Sequence, residues 1–308
     1  MSAETTPRPA PSGTAPADPL SAMLGHLGLH ARLDYVGGVC GRWAIDHNSD
    51  TAVWFHLVTK GEGFAHSPAW TNPRRLAEGD LLVFMPHAAA HFLSYSPDEL
   101  VFGATGAAKV PLAEGSTGLV CGALELRAPR AALWRGLPGE ILVRPADAGS
   151  ELASLIALIV REAKAPGLAS DVLIERLFDG CFLLLVRYCI ERGLVREGLF
   201  RALQDARLAG VLALLHEAPA HPWSVAEICA RGGLSRSVLH ERFVALLGMP
   251  PMEYLAAMRM QLAGEWLRDA ALSVEQVAER CGYESVSAFS RTFRRVMGQA
   301  PGAYRRGG

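Results

Sequence analysis

The chain has 308 residues, with 30 Lys and Arg against 31 Asp and Glu for a net charge of −1, and half of it is hydrophobic. That length favours two domains, each long enough to bury a core. No apolar run approaches the roughly eighteen residues of a membrane span, the longest being 155–160 and 181–186. The six cysteines (Cys40, Cys121, Cys181, Cys189, Cys229 and Cys281) form no Cys-x-x-Cys pair, which argues against a structural zinc.

Residues 1–18 are Pro, Ala, Thr and Ser without an apolar centre, so they read as a disordered leader and not as a signal peptide. The chain is therefore expected to be soluble and cytoplasmic. From about residue 33 to 143 short apolar runs alternate with Gly-containing turns, as at 53–59, 61–66 and 81–86, a spacing that predicts a β-sandwich or barrel. Residues 79–91 run Gly-Asp-Leu-Leu-Val-Phe-Met-Pro-His-Ala-Ala-Ala-His and resemble the second cupin motif, with Ala88 where Gly is usual. His56 and Glu62 only partly match the first motif.

A metal-dependent enzyme needs three or four converging ligands. The sequence supplies His91, with His56 or His87 to join it. No cofactor is demanded, and a divalent metal held by His56 and His91 is the one candidate. Cys121, within Leu-Val-Cys-Gly-Ala, reads as a small buried hydrophobe or, together with Cys40, as an oxidant-sensitive thiol.

Residues 151–164 and 171–191 are helical in pattern. The second has an apolar face too broad for a single side to meet solvent, so it packs on the barrel or forms a dimer seam. Residues 193–198, bracketed by Gly, read as a linker. The expected organisation is a leader at 1–20, a cupin-like domain at 21–148, a helical dimerisation and linker segment at 149–198, and a separate C-terminal domain at 199–308.

Residues 201–308 carry 13 Arg against 10 acids, while residues 1–200 carry 17 basic and 21 acidic side chains. From Ser285 onward there are five Arg and no acid, a local basic end suited to phosphate. Here one device occurs twice. Residues 224–231 and 273–280 each open on a Ser N-cap and repeat apolar residues at helical spacing. Gly232 or Gly282 then stops the helix, and a polar segment starts a second one. In the first copy Leu239, Phe243 and Leu246 point inward, leaving Ser237, His240 and Glu241 outside. In the second, Phe289 and Phe293 point inward, leaving Val286, Ser287, Ser290 and Arg291 outside. Hydroxyls, a His, a Val and an Arg suit a major groove. Between the copies, Pro250 and Pro251 open a helix of about eighteen residues, a rod of roughly 27 Å that could set two recognition helices about one DNA turn apart.

This segment resembles the DNA-binding domain of AraC/XylS-type bacterial transcription regulators, in which two helix-turn-helix units joined by a long helix end in Pro-x-x-Tyr-Arg. Here that tail is Pro301, Tyr304 and Arg305, and Gly282-Tyr283-Glu284-Ser285 matches the second turn. The resemblance implies DNA contacts by Ser235, Arg236, Ser237, His240 and Glu241 in the first unit. In the second it implies Ser285, Val286, Ser287, Ser290, Arg291, Arg294 and Arg295, with Arg305 in the tail. Glu241 stands where family members often carry a basic or amide residue, and an acid there would repel phosphate. The Val-Cys-Gly run is similar to a cupin-bearing branch that includes a regulator responsive to reactive chlorine. The resemblance implies an α+β protein with an N-terminal cupin-like β-barrel, a helical pair and a C-terminal all-α tandem helix-turn-helix domain. Its function would be sequence-specific transcription regulation by a cupin-like sensor at 21–148 and a DNA-binding domain at 199–308, and its partners double-stranded DNA, a small-molecule or oxidant effector, RNA polymerase and a second copy in a homodimer. The competing reading is a metal-dependent cupin enzyme with an appended DNA-binding tail.

Overall fold

The computed structural model describes residues 29–40, 44–46, 52–98, 115–125, 134, 136–268 and 271–306. The leader expected at the N-terminus lies outside these residues. Among the described residues nine strands form two antiparallel sheets. The first has the order β1 (His30–Val39), β8 (Thr117–Glu125), β3 (Val53–Lys60), β6 (Leu81–Phe84), β9 (Glu140–Val143). The second has the order β2 (Ala44–Asp46), β7 (Phe92–Ser94), β4 (Glu62–His66), β5 (Arg74–Ala77).

Strand alternation divides the side chains of the larger sheet between two cores. Trp54, Val58, Leu82, Phe84, Leu119 and Cys121 turn inward between the sheets. Phe55, Leu57, Leu81, Val83, Val120 and Leu124 turn the other way and are covered by α1 (Gly149–Lys164) and α2 (Ser170–Glu191). Phe55 stacks on Phe178 of α2, with ring centroids 3.9 Å apart. The broad apolar face of α2 thus packs on the barrel through Ile174, Phe178, Phe182 and Leu185. Strand β1 is the edge of its sheet, and unpaired edge N–H groups invite pairing with other chains. Here α2 covers them: the N–H of Ala31 donates to Asp179 Oδ1 at 2.6 Å and that of Leu33 to Glu175 Oε1 at 3.3 Å.

The segment expected to be a plain linker is held against the barrel. The backbone N–H of Arg196 donates to Gly136 O at 3.4 Å, and Val195 is buried. Gly136 has φ +87°, and a Cβ there would strike the backbone carbonyl of Glu197. Both its conformation and its lack of a side chain are therefore required. The chain continues through α3 (Gly198–Ala202) and α4 (Ala206–Glu217), whose Phe200, Leu208 and Leu212 lie in the same apolar cluster as the outer barrel face.

The helix-turn-helix copies follow as α5 (Val225–Gly232) and α6 (Arg236–Leu247), then α8 (Val274–Arg280) and α9 (Val286–Met297). The rod α7 (Pro251–Leu267) joins them, and α10 (Pro301–Arg306) ends the described chain. The first unit shares the barrel's outer core, whereas the second has its own around Met260, Leu267, Val277, Phe289 and Phe293.

Replacing Gly136 by Ala imposes both a left-handed backbone and a collision with the linker, and is expected to cost about 3 kcal/mol or more. Gly149, at φ +69° with open space around its Cβ direction, bears only the backbone cost, about 1 kcal/mol. Thermal unfolding of the two variants, with limited proteolysis at 193–197, checks the order; equal effects would mean that the barrel does not hold the linker.

Candidate nucleic-acid interface and barrel interior

Both helix-turn-helix units are built from the same local chemistry. Ser224 and Ser235 cap α5 and α6, accepting from the N–H of Glu227 at 3.1 Å and of Val238 at 3.3 Å. Ser273 forms a reciprocal capping box with Gln276, at 3.2 and 2.7 Å. Ser285 caps α9 through the N–H of Ala288 at 3.4 Å. Each cap satisfies helix donors that would otherwise lack a partner. Sequence pattern misplaced the first stop by one residue. The left-handed terminator of α5 is Gly233, at φ 60°, and not Gly232. Gly232 is helical, and a Cβ on it would come within 2.5 Å of Val211 Cγ2, so its role is close packing. In the second unit Gly282 is left-handed at φ 75°, as expected. Leu239 and Phe243 are buried as expected, but the third inward residue of α6 is Leu247, with Leu246 half-buried.

Ser235, Arg236, Ser237, His240 and Glu241 are all exposed on the first turns of α6. On α9, Val286, Ser287, Arg291, Arg294 and Arg295 are exposed, as is their N-cap Ser285, while Ser290 is half-buried. Phe289 and Phe293 are fully buried beneath them. Among the described residues Arg236, Arg291, Arg294 and Arg295 join no ion pair.

Other arginines of the region are spent inside the protein. Arg242 pairs with Asp205, whose carboxylate also caps α4 by accepting from Arg207 and Leu208. Arg259 donates to the carbonyls of Pro219 and His221, both at 2.7 Å. Arg305, expected to meet phosphate, is half-buried and donates to Leu272 O at 2.6 Å. It ties the tail to the turn before α8. Tyr304 stands over Phe293, with centroids 5.4 Å apart.

Inside the barrel, His56 and His91 meet: their Nε2 atoms are 2.8 Å apart, and both rings are buried. A hydrogen bond between two imidazoles needs one protonated Nε2 and one bare one. His91 also stacks on Phe84 at 3.5 Å. The pair offers two ligands where a protein metal site needs three or four. Among the described residues no group of three His, Cys, Asp or Glu could hold an ion. Within the described residues what they form is a hydrogen-bonded imidazole pair. His87 lies elsewhere, on the cleft described below.

Cys121 faces this interior, paired in register with His56 on one side and Tyr35 on the other. It is fully buried, and burial pushes its thiol well above the ordinary range, which suppresses the thiolate that oxidants attack. Cys40 is exposed just beyond the end of β1. It lies five residues along the strand from Tyr35, about 16 Å at the usual rise. That exceeds what a disulfide to Cys121 can span.

Barrel, linker and first unit enclose a cleft of about 820 Å³. Its walls include Leu137 and Pro138 of the barrel, Leu194 and Arg196 of the linker, and Leu247 and Met249 at the end of α6. Sequence reading did not find it, because its walls come from four segments far apart in the chain.

Thiol titration of the native protein is expected to label Cys40 within the mixing phase and half-buried Cys229 more slowly. Cys121, Cys181 and Cys189 should react only on unfolding, the latter two thiols being pushed up to about 12 by burial. Rapid labelling of Cys121 would contradict a closed barrel.

Comparison with known proteins agrees with this architecture. A cupin family model matches residues 18–191 and a helix-turn-helix domain model matches residues 228–307. A putative AraC-like transcription regulator of Streptomyces antibioticus is 30% identical over 298 residues, 94% of this chain and 98% of that protein. The RCS-specific HTH-type transcriptional activator RclR of Escherichia coli (strain K12) is 26% identical over 268 residues, 85% of this chain and 88% of that protein. Among solved structures, the DNA-binding domain of AdpA in complex with a target DNA is 35% identical, covering 32% of this chain and 89% of that one, with a TM-score of 0.31. These relatives are regulators and not enzymes. With a cupin sheet domain followed by paired helix-turn-helix units, and with a full-length relative of that description, the chain belongs to the AraC-type family of DNA-binding transcription regulators.

Proposed function

We propose that α6 and α9 read a two-part operator in successive major grooves, and that a small molecule bound outside the barrel interior adjusts that reading. The observation that carries the first half is the sorting of the arginines: Arg242, Arg259 and Arg305 are engaged internally, while Arg236, Arg291, Arg294 and Arg295 stand exposed on the two helices. In this reading Arg291 takes a guanine edge, Val286 a thymine methyl, and Ser237, Ser287 and Ser290 donate or accept at base edges. His240 adds a contact in the first half-site, and Glu241 accepts from cytosine N4. Arg236, Arg294 and Arg295 meet phosphates, and Ser235 and Ser285 place the helix N-termini toward the backbone. Arg305 contributes by fastening the tail. RNA polymerase is the partner through which a promoter-bound regulator acts, and its work on chromosomal DNA places it in the cytoplasm.

The effector reading rests on the cleft. Its volume is within the range of small-molecule sites, and domain interfaces are where such sites concentrate. An occupant touching Leu137, Leu194 and Met249 together would bind one arrangement of barrel and first unit better than others, as a ligand must if it is to shift an equilibrium. The oxidant alternative through Cys121 is disfavoured by that thiol's burial. Dimerisation is supported by the outer faces of α1 and α2, where Leu158, Val172, Leu173 and Leu183 remain exposed beside Leu168.

The direct test is to sequence the genomic fragments the purified protein retains, then compare variants on the recovered site. Arg291→Ala is expected to cost about 1–3 kcal/mol and to relax preference at one base position. Arg294→Ala is expected to weaken all sequences alike and to lower the salt slope by about one. Equal affinities of native protein and Arg291→Ala for specific and random DNA would overturn the assignment.

A thermal-shift screen of metabolites tests the effector site. Any stabilising compound is expected to lose its effect on Leu194→Trp, which fills the cleft, while DNA binding persists; a shift unchanged in that variant would move the effector elsewhere.

A further inference from the structure

The rod α7 does more than separate the two units, because midway along it one side chain closes a joint between them. We infer that Arg259, seated between the 218–223 loop of the first unit and the Gly282–Tyr283 turn of the second, fixes the half-site spacing the protein accepts. This rests on the two-helix reading proposed above and assigns the residue that sets its geometry.

The joint is built from five contacts. Arg259 Nε donates to Pro219 O and Nη2 to His221 O, both at 2.7 Å, a fork spanning two carbonyls of one loop. The same guanidinium lies 5.8 Å from the ring centroid of Tyr283. On the far side, Cys281 Sγ donates to the Arg259 carbonyl at 3.4 Å. Gly282, at φ 75°, lies so close to Ala220 that a Cβ would strike the Ala220 carbonyl. Thus the terminating turn of α8 rests directly on a loop of the other unit.

That loop is itself stiff. Pro219 and Pro222 limit its backbone, and the N–H of His221 and the indole Nε1 of Trp223 donate to Ala218 O at 3.1 and 2.9 Å. His221 Nε2 lies 3.0 Å from Glu227 Oε1 on α5, and the Arg231 guanidinium stands 5.1 Å from the Trp223 ring centroid. Movement of the second unit about α7 would therefore pull against α5 and the recognition helix that follows it. Burial lowers the Arg259 pKa from its ordinary value, so the cation is kept there at a desolvation cost that the two carbonyls offset. An Arg is needed because Lys presents one compact charge and cannot hold a planar fork.

Two half-site binders on one rigid body gain affinity only when the DNA presents both halves at the matching distance and rotation. If the joint sets that match, loosening it lowers affinity for the complete site and broadens the spacings tolerated, while each half-site alone binds as before.

The experiment uses the full chain and duplexes recovered by selection from random-sequence DNA. Companion duplexes have one half scrambled, or one base pair inserted or removed between halves. The native protein is expected to prefer one spacing by on the order of tenfold or more. Arg259→Gln is expected to lose on the order of tenfold at that spacing, to bind the shifted duplexes as well as the unshifted one, and to leave half-site affinity unchanged; Arg259→Lys should lie between. A loss of the same factor on half-site and complete duplexes would show a merely structural role and overturn the inference. So would retention of the native spacing preference. Should Arg259→Gln fail to fold by circular dichroism, Arg259→Lys and Gly282→Ala decide by the same criteria. A native chain with no second half-site would refute the two-helix reading itself; a native preference that survives in the variants would refute only the role of Arg259.

Discussion

The DNA-binding half depends on one helix being buried by two cores at once. On α7, Tyr254, Leu255 and Met258 complete the cluster that continues into the barrel, whereas Met260, Ala263 and Leu267 complete the core of the second unit. Burying a side chain of this kind stabilises by about 1.5–3 kcal/mol, so neither unit can leave the rod without exposing several of them. A helix with apolar residues on opposite faces has no single amphipathic stripe, and α7 can satisfy both faces only between two folded partners. Its seventeen residues extend about 26 Å, and its burial turns that length into a fixed separation.

With the rod held, each unit has one helix free to meet DNA. The packing of Phe243 and Leu239 under α6, and of Phe289 and Phe293 under α9, decides which side chains face out. Arg242 and Arg305 lie in the same stretches as the exposed arginines but are drawn inward by Asp205 and by the Leu272 carbonyl. The positive face that remains is smaller than composition alone implies, and it lies where helix N-termini and groove-facing residues coincide. The first unit is continuous with the barrel through α3 and the pinned linker. Anything that alters the barrel–linker contact therefore bears on α6 before it bears on α9.

Local chemistry was legible in the sequence, and relations across distance were not. The Ser caps, the left-handed Gly282 and the buried Phe pair follow from short-range rules, and the structure has them as expected. Gly232 and Gly233 are adjacent and both permissive, so periodicity could not say which ends α5; the contact with Val211 decides it. The roles of Arg242, Arg259 and Arg305 depend on partners 33–40 residues away. His56 and His91, 35 residues apart, both stand out in the sequence, but only the fold shows that they bond to one another. Cys121 was legible as either a core residue or a sensor, and complete burial favours the core.

Hydroxyl-radical footprinting of the native protein on its selected DNA tests the central claim most directly, since it reports which sugars each helix shields. Two helices held on one rod are expected to leave two protected patches about one helical turn apart on the same side of the duplex. A single patch, or two patches on opposite sides, would contradict the account.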